Sequence, residues 1–173
     1  MSGSVVADAG PLMALAKLNL LHLLKQLYGR VLLPPSVFAE VVVEGMRRGF
    51  EDAHTLQLFL SQEGWQPTEV KDLPGELASL PLDRGEQESI ALALALNSTL
   101  LIDEERGREV ARRHGVKVRG TLSVLIQAYR AGLITADQLR FYFGQIEERT
   151  DIWISPALCR RLLQEILGKR FEE

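Results

Sequence analysis

Cysteine is scarce in this sequence, and its scarcity limits the chemistry available to the protein. Cys159 is the only cysteine among 173 residues, which excludes an intramolecular disulfide framework and a zinc site built from thiolates. A reducing compartment favours such a composition. The three histidines are scattered without the spacing of metal ligands, so we interpret them as surface or partly buried side chains.

Long apolar runs and a strong net charge are also absent. The longest unbroken apolar run, residues 90–96, is far too short to span a bilayer. The N-terminus lacks the basic stretch and apolar core of a signal peptide, so we expect a cytoplasmic protein without membrane contact. The formal net charge of −3 indicates no partner by itself, and any nucleic-acid binding must come from a local patch.

Two short apolar segments each end on an aspartate. Residues 5–7 lead into Asp8, and residues 99–102 lead into Asp103. Their continuous apolar character is typical of strands buried on both faces of a parallel sheet, and helical patterns follow both. We predict an α/β fold, a three-layer α/β/α sandwich with a central parallel sheet. We expect one domain over residues 1–173, with a last helical segment, about residues 151–168, that packs on the rest.

Both aspartates follow strands, at the edge of the sheet where ligands usually bind in α/β proteins. Pro11 suits the first position of a helix, which would make Gly10 the cap and leave Asp8 too far upstream to serve. Asp103 has an alternative role as the cap of the acidic helix start at Glu104. Function is therefore better supported for Asp8 than for Asp103 taken alone.

Three glutamates are further candidates. Glu40 lies in an apolar run, where a buried carboxylate needs a partner or a cation, although an exposed helix edge would also explain it. Glu86 has capping-box spacing from Asp83, which gives it a purely structural alternative that Glu88 lacks. Glu86 and Glu88 are two residues apart on a helix, so we expect only one of them to reach a shared site.

Two further segments give local signals of secondary structure. Thr121 is expected to cap a helix that follows a short strand. Between residues 64 and 81 the pattern weakens, and Trp65 and Val70 indicate only a marginal edge strand.

Acids from several separate segments suggest an oxygen-ligand site for Mg²⁺ or Mn²⁺, of the kind that acts on phosphate esters. Basic residues follow Asp103 closely, namely Arg106, Arg108 and Arg112. A solvated helix face paired with neighbouring glutamates would explain them. Alternatively, they bind the backbone of a nucleic-acid substrate beside the metal.

Six segments, spread over nearly the whole chain, carry a resemblance to a known family. They are residues 6–12, Glu40 a few residues after two adjacent prolines, and residues 84–93, 101–104, 120–122 and 153–156. In this order and spacing they resemble the PIN domain family, and within it the bacterial and archaeal branch related to toxins of toxin–antitoxin pairs.

The resemblance implies an α/β/α sandwich and a Mg²⁺- or Mn²⁺-dependent endoribonuclease, the toxin of a toxin–antitoxin pair. Its metal-binding and catalytic carboxylates would be Asp8, Glu40, Glu86 and Asp103, with Glu88 and Glu104 able to substitute or assist. RNA, an antitoxin protein and a second copy of the chain are the implied partners. The alternative is a PIN-like module that binds RNA or a protein without turnover.

Overall fold

The computed structural model describes residues 4–168, and these fall into two compact units. The first unit extends to Thr121 and the second begins at Leu122. Within the described residues, no helix combines the length and the apolar character needed to cross a membrane.

A four-stranded parallel sheet forms the centre of the first unit. Its strands are β1 (Val5–Ala7), β2 (Val31–Leu32), β3 (Thr99–Leu101) and β4 (Val118–Arg119). They lie in the order β2-β1-β3-β4, with Val6 opposite Leu32 on one side and opposite Leu100 on the other. Because all four strands run in the same direction, the residues that follow β1 and β3 meet at one edge of the sheet.

Helices flank this sheet. In chain order, the first unit contains α1 (Ala9–Lys17), α2 (His22–Tyr28), α3 (Pro35–Phe38), a π-helical turn (Ala39–Glu44), α4 (Gly45–Arg47), α5 (Glu51–Glu63), α6 (Gly75–Ala78), α7 (Arg84–Leu96) and α8 (Glu105–Arg113). Helix α7 packs against β1 and β3, α2 packs against β2, and α8 packs against β4. The three-layer α/β/α prediction is confirmed.

The alanine-rich helix α7 brings the functional residues close to the sheet. Its small side chains Ala91 and Ala93 are buried with Ile90 in one apolar cluster that also contains Val6 and Leu100. Small side chains allow the helix axis to approach the strands closely, and Ser89 in the N-terminal half of α7 contacts Asp8 at the end of β1.

The predicted edge strand near residues 65–70 is wrong, and this described stretch has no strand. Trp65 is buried and meets Phe59 edge to face, with ring centroids 5.2 Å apart. Thr68 donates one backbone hydrogen bond to the carbonyl of Leu33, at 2.8 Å, just beyond β2. A single backbone bond of this kind does not form a ladder.

The second unit contains all of α9 (Thr121–Arg130) except its first residue, together with α10 (Ala136–Glu148) and α11 (Pro156–Leu167). Helices α10 and α11 pack together, and Arg160 forms an ion pair with Glu147 across 3.1 Å. The start of α10 is fixed by a capping box between Thr135 and Gln138. The packing of the last helical segment on the first unit stays a prediction.

Candidate functional site

Asp8 lies at the carboxyl end of β1 with a fixed backbone. Its N–H donates to the carbonyl of Leu101 at 2.9 Å, which continues the pairing of β1 with β3 by one residue. Helix α1 begins at Ala9, so the expectation that Gly10 is the cap is wrong and Asp8 itself occupies the cap position. The Asp8 side chain nevertheless makes no capping hydrogen bond, which leaves its carboxylate for other partners.

The Asp8 carboxylate is buried among other acids. The hydroxyl of Ser89, on α7, donates a hydrogen bond to its Oδ1 at 3.3 Å. Burial, together with the negative charges of Asp83, Glu86 and Glu40, raises the pKa of Asp8 to about 7, although a hydrogen bond from the backbone of Ala9 opposes the rise. A carboxylate in this environment is ionised at neutral pH only at a cost, unless a cation neutralises it.

Glu86 belongs to the same group of acids and also to the start of α7. Its backbone N–H donates to Oδ1 of Asp83 at 2.8 Å, and its Oε2 accepts from the backbone N–H of Asp83 at 3.3 Å. This is the capping box that the sequence offers as an alternative. Partial burial and the charges of Asp83 and Glu104 together raise the pKa of Glu86 to about 7.

Glu40 approaches this group from the π-helical turn. It is an exposed residue, yet partial burial of its carboxylate and the charge of Asp83 raise its pKa. A Cβ atom added to Gly85 would lie 3.3 Å from Oε2 of Glu40. The absent side chain at Gly85 therefore allows Glu40 to reach the first turn of α7.

Glu88 lies on a different side of α7 from Glu86. Residues two positions apart on a helix point about 200° away from each other, so Glu88 diverges from Glu86. The residue is buried, and its Oε2 lies 3.8 Å from Nε of Arg84 without a hydrogen bond to the described residues. Of the two glutamates, Glu86 is the one grouped with Asp8.

Asp103 is held by Thr121 after the end of β3. The backbone N–H of Thr121 donates to Oδ1 at 2.8 Å, and its hydroxyl donates to Oδ2 at 2.6 Å. Burial raises the pKa of Asp103, while these hydrogen bonds and the charge of Arg108 oppose the rise. The expectation that Thr121 caps α9 is wrong, because Thr121 is the first residue of the helix and its hydroxyl binds Asp103.

Asp103 lies beside the first turn of α1, which follows Asp8. A Cβ atom added to Gly10 would lie 3.6 Å from Oδ2 of Asp103. The alternative role of Asp103 as the cap of α8 is wrong, because Glu104 occupies that position and accepts from the N–H of Gly107 at 2.7 Å. The ends of β1 and β3 therefore bring both aspartates to one edge of the sheet.

The three candidate arginines on α8 differ in their surroundings. Arg108 is half-buried, and its Nη1 donates to the carbonyl of Ile102 at 2.8 Å, beside Asp103. Arg106 and Arg112 are exposed. The structure thus assigns Arg108 a contact with the protein itself, whereas the other two present their charge to solvent.

The donor chemistry of these residues fits a hard divalent cation, since every candidate ligand is a carboxylate oxygen and the carboxylates repel one another. Their positions do not form a finished cage. Within residues 4–168, no group of three or more histidine, cysteine, aspartate or glutamate side chains is placed to hold a metal ion. The engagement of Glu86 in the capping box is one physical reason, because its Oε2 is bound to the backbone.

The structure adds partners that the sequence analysis did not assign to the site. Ser89 contacts Asp8, Thr121 contacts Asp103, and Asp83 adds negative charge. The spacing of Glu86 and Ser89, one helical turn apart, is a signal that could have placed Ser89 on the same face.

Comparison with known proteins gives one finding about the family. The family model described as PIN domain matches residues 4–167, almost all of the chain. The comparison with curated proteins gives no match.

Proposed function

Because the chain belongs to the PIN domain family, whose fold is of nuclease type, we propose that it is an endoribonuclease that uses Mg²⁺ or Mn²⁺ to hydrolyse RNA phosphodiester bonds. The observation that carries the proposal is the buried carboxylate of Asp8, whose pKa is raised to about 7 among Asp83, Glu86 and Glu40. Such a concentration of negative charge destabilises a folded protein, and functional sites are where it is commonly found.

The carboxylates divide into two kinds. Asp8 and Asp103 are fixed, because each follows a strand and each accepts a hydrogen bond from a buried hydroxyl. Glu40 and Glu86 are more exposed and complete the proposed set of ligands, with Glu88 as a further candidate ligand. The cation, when bound, would supply positive charge that neutralises these acids and stabilises negative charge on the phosphoryl oxygens.

The exposed face of α8 is the proposed contact for the RNA backbone. Arg106 and Arg112 present guanidinium groups to solvent on the helix that follows Asp103. Guanidinium groups bind phosphate oxygens and position a substrate without reading its sequence. Arg108 supports the same helix through its bond to Ile102, so its contribution to RNA binding would be indirect.

The order of motifs along the chain supports a proposal about the biological setting. We propose that the protein acts in a reducing cytoplasm as the toxin of a toxin–antitoxin pair, as a homodimer, and that an antitoxin protein inhibits it. The resemblance of residues 6–12, 84–93 and 101–104 to the toxin-like branch of the family supports this proposal.

A second candidate function is a PIN-like module that binds RNA or a protein without turnover. The observation in its favour is that no three acids among residues 4–168 are grouped to hold a metal ion. This module would bind RNA equally well in the presence of a chelator, whereas a nuclease would need the cation for cleavage.

Cleavage of labelled RNA by the purified chain separates the two functions. We expect cleavage with Mn²⁺, none after addition of EDTA, and a rate at least roughly 100-fold lower for Asp8→Asn. Asp137→Asn, which alters an exposed carboxylate on α10, is the matched control and should cleave like the wild type. Failure of the wild type to cleave any RNA with Mn²⁺, together with RNA affinity that survives EDTA, would establish the binding module.

A further inference from the structure

We infer that Thr121 is the positioning residue for Asp103, fixing the carboxylate in the orientation that the site requires. The inference rests on the proposed function. Thr121 is fully buried and donates two hydrogen bonds to one side chain, from its N–H to Oδ1 at 2.8 Å and from its hydroxyl to Oδ2 at 2.6 Å. One donor on each oxygen determines both the location and the plane of the carboxylate.

This arrangement leaves Asp103 able to act as a ligand. Each carboxylate oxygen has two acceptor positions, and Thr121 uses one on each oxygen. Thr121 therefore leaves one acceptor position on each oxygen for the proposed cation. Hydrogen-bond partners that hold a ligand from behind in this way commonly determine metal affinity, because they orient the ligand before binding.

The backbone around Thr121 is shaped for this contact. A Cβ atom added to Gly120 would lie only 2.7 Å from Oδ1 of Asp103 and 3.1 Å from Nη1 of Arg108. Only a residue without a side chain permits the chain to pass this close. Arg108 in turn binds the carbonyl of Ile102, the residue before Asp103, so both sides of the aspartate are fixed.

A purely structural role for Thr121 makes a different prediction. If Asp103 served only to satisfy the first N–H of α9, the backbone bond from Thr121 would suffice and the hydroxyl would add only stability. Thr121→Val removes the hydroxyl, keeps the side-chain shape and retains the backbone N–H. Thr121→Ser keeps the hydroxyl and removes one methyl group, and it is therefore the matched control.

The test measures Mn²⁺ affinity by calorimetry, together with kcat and KM for RNA cleavage. For Thr121→Val we expect Mn²⁺ affinity to fall about 10- to 100-fold. At saturating Mn²⁺ its kcat should be lower while KM for RNA is unchanged, and Thr121→Ser should restore both affinity and kcat. If Thr121→Val does not fold, Thr121→Ala provides the same comparison.

Two outcomes overturn the inference in distinguishable ways. Wild-type protein that binds Mn²⁺ and cleaves RNA, with a Thr121→Val variant of equal affinity and kcat but lower stability, overturns the positioning role alone. Wild-type protein that neither binds Mn²⁺ nor cleaves RNA overturns the proposed function, and the positioning role with it.

Discussion

Ser89 donates a hydrogen bond from its hydroxyl to Oδ1 of Asp8 across 3.3 Å, between residues that are 81 positions apart in the chain. Both residues are buried. The Ser89 hydroxyl and the backbone of Ala9 stabilise the charged carboxylate, whereas burial and the charges of Asp83, Glu86 and Glu40 disfavour it. The balance leaves Asp8 with a raised pKa, and this has a measurable effect on stability.

We predict that Asp8→Asn stabilises the metal-free protein at alkaline pH. The folded-state pKa of Asp8, about 7, lies above that of an unfolded aspartate, so the folded protein holds the proton more tightly. The free energy of unfolding should therefore fall as pH rises between these two pKa values, with the full penalty above the folded value. Each unit of pKa difference corresponds to about 1.4 kcal/mol, which gives a few kcal/mol for a buried group.

Urea unfolding in EDTA measures this effect at both ends of the pH range. The variant should be more stable than the wild type above the folded pKa and equal to it where Asp8 is protonated in both states. Asp137→Asn, altering an exposed carboxylate, should show no such pH-dependent difference. Equal stability of Asp8→Asn and the wild type at alkaline pH would contradict the raised pKa.

Asp83 should influence the site through its negative charge as well as through its capping bond. Its side chain caps α7, and its charge raises the pKa values of Glu86 and Asp8. Asp83→Asn retains a good capping group without the charge, whereas Asp83→Ala loses the cap and about 1 kcal/mol of stability. Both variants should lower these pKa values, so Mn²⁺ binding should persist to lower pH than in the wild type. Calorimetry over a pH series checks this, and an unchanged pH profile in both variants would count against the electrostatic coupling.

The sheet and its acidic ends could be predicted because their signals are local. The apolar runs before Asp8 and Asp103 indicate strands that are buried on both faces of the sheet. The capping box of Asp83 and Glu86 determines where α7 begins. Parallel strands then bring their carboxyl ends to one edge whatever the details of register. Such features depend on residues that are close in sequence.

The partners of the aspartates could not be predicted in the same way. The bond from Thr121 to Asp103 spans 18 positions and depends on the pairing of β3 with β4. A threonine before an apolar helical pattern has the same sequence signature whether it caps the helix or binds a distant carboxylate. The π-helical turn around Glu40 likewise has no distinct periodicity in the sequence, since apolar residues surround the glutamate on both sides.

Gly120→Ala should disturb Asp103 directly. The new Cβ would lie 2.7 Å from Oδ1 of Asp103, so the carboxylate or the chain must shift. We expect a loss of about 1–3 kcal/mol in the free energy of unfolding and weaker Mn²⁺ binding. Gly144→Ala is the control, because nothing lies near its Cβ position in α10, and it should gain about 0.5–1 kcal/mol. Normal Mn²⁺ affinity in Gly120→Ala would show that the close approach of Gly120 is unimportant for the site.

The arginines of α8 should separate into a supporting residue and an RNA contact. Arg112→Ala removes an exposed charge, so the free energy of unfolding should change by less than about 0.5 kcal/mol. The slope of the logarithm of RNA affinity against the logarithm of salt concentration should decrease by about 1, the value for one lost phosphate contact. Arg108→Ala leaves the carbonyl of Ile102 without its donor and should cost about 1–3 kcal/mol of stability.

Fluorescence anisotropy with labelled RNA over a salt series, in the cleavage-deficient Asp8→Asn background, measures the first effect, and urea unfolding measures the second. Arg113→Ala is the control for charge alone, because Arg113 is exposed and pairs with Glu109 at 2.6 Å. Arg113→Ala should reduce the salt slope less than Arg112→Ala does, and it should reduce stability less than Arg108→Ala does. If Arg108→Ala instead reduces the salt slope without loss of stability, its guanidinium binds RNA and the support of α8 must come from elsewhere.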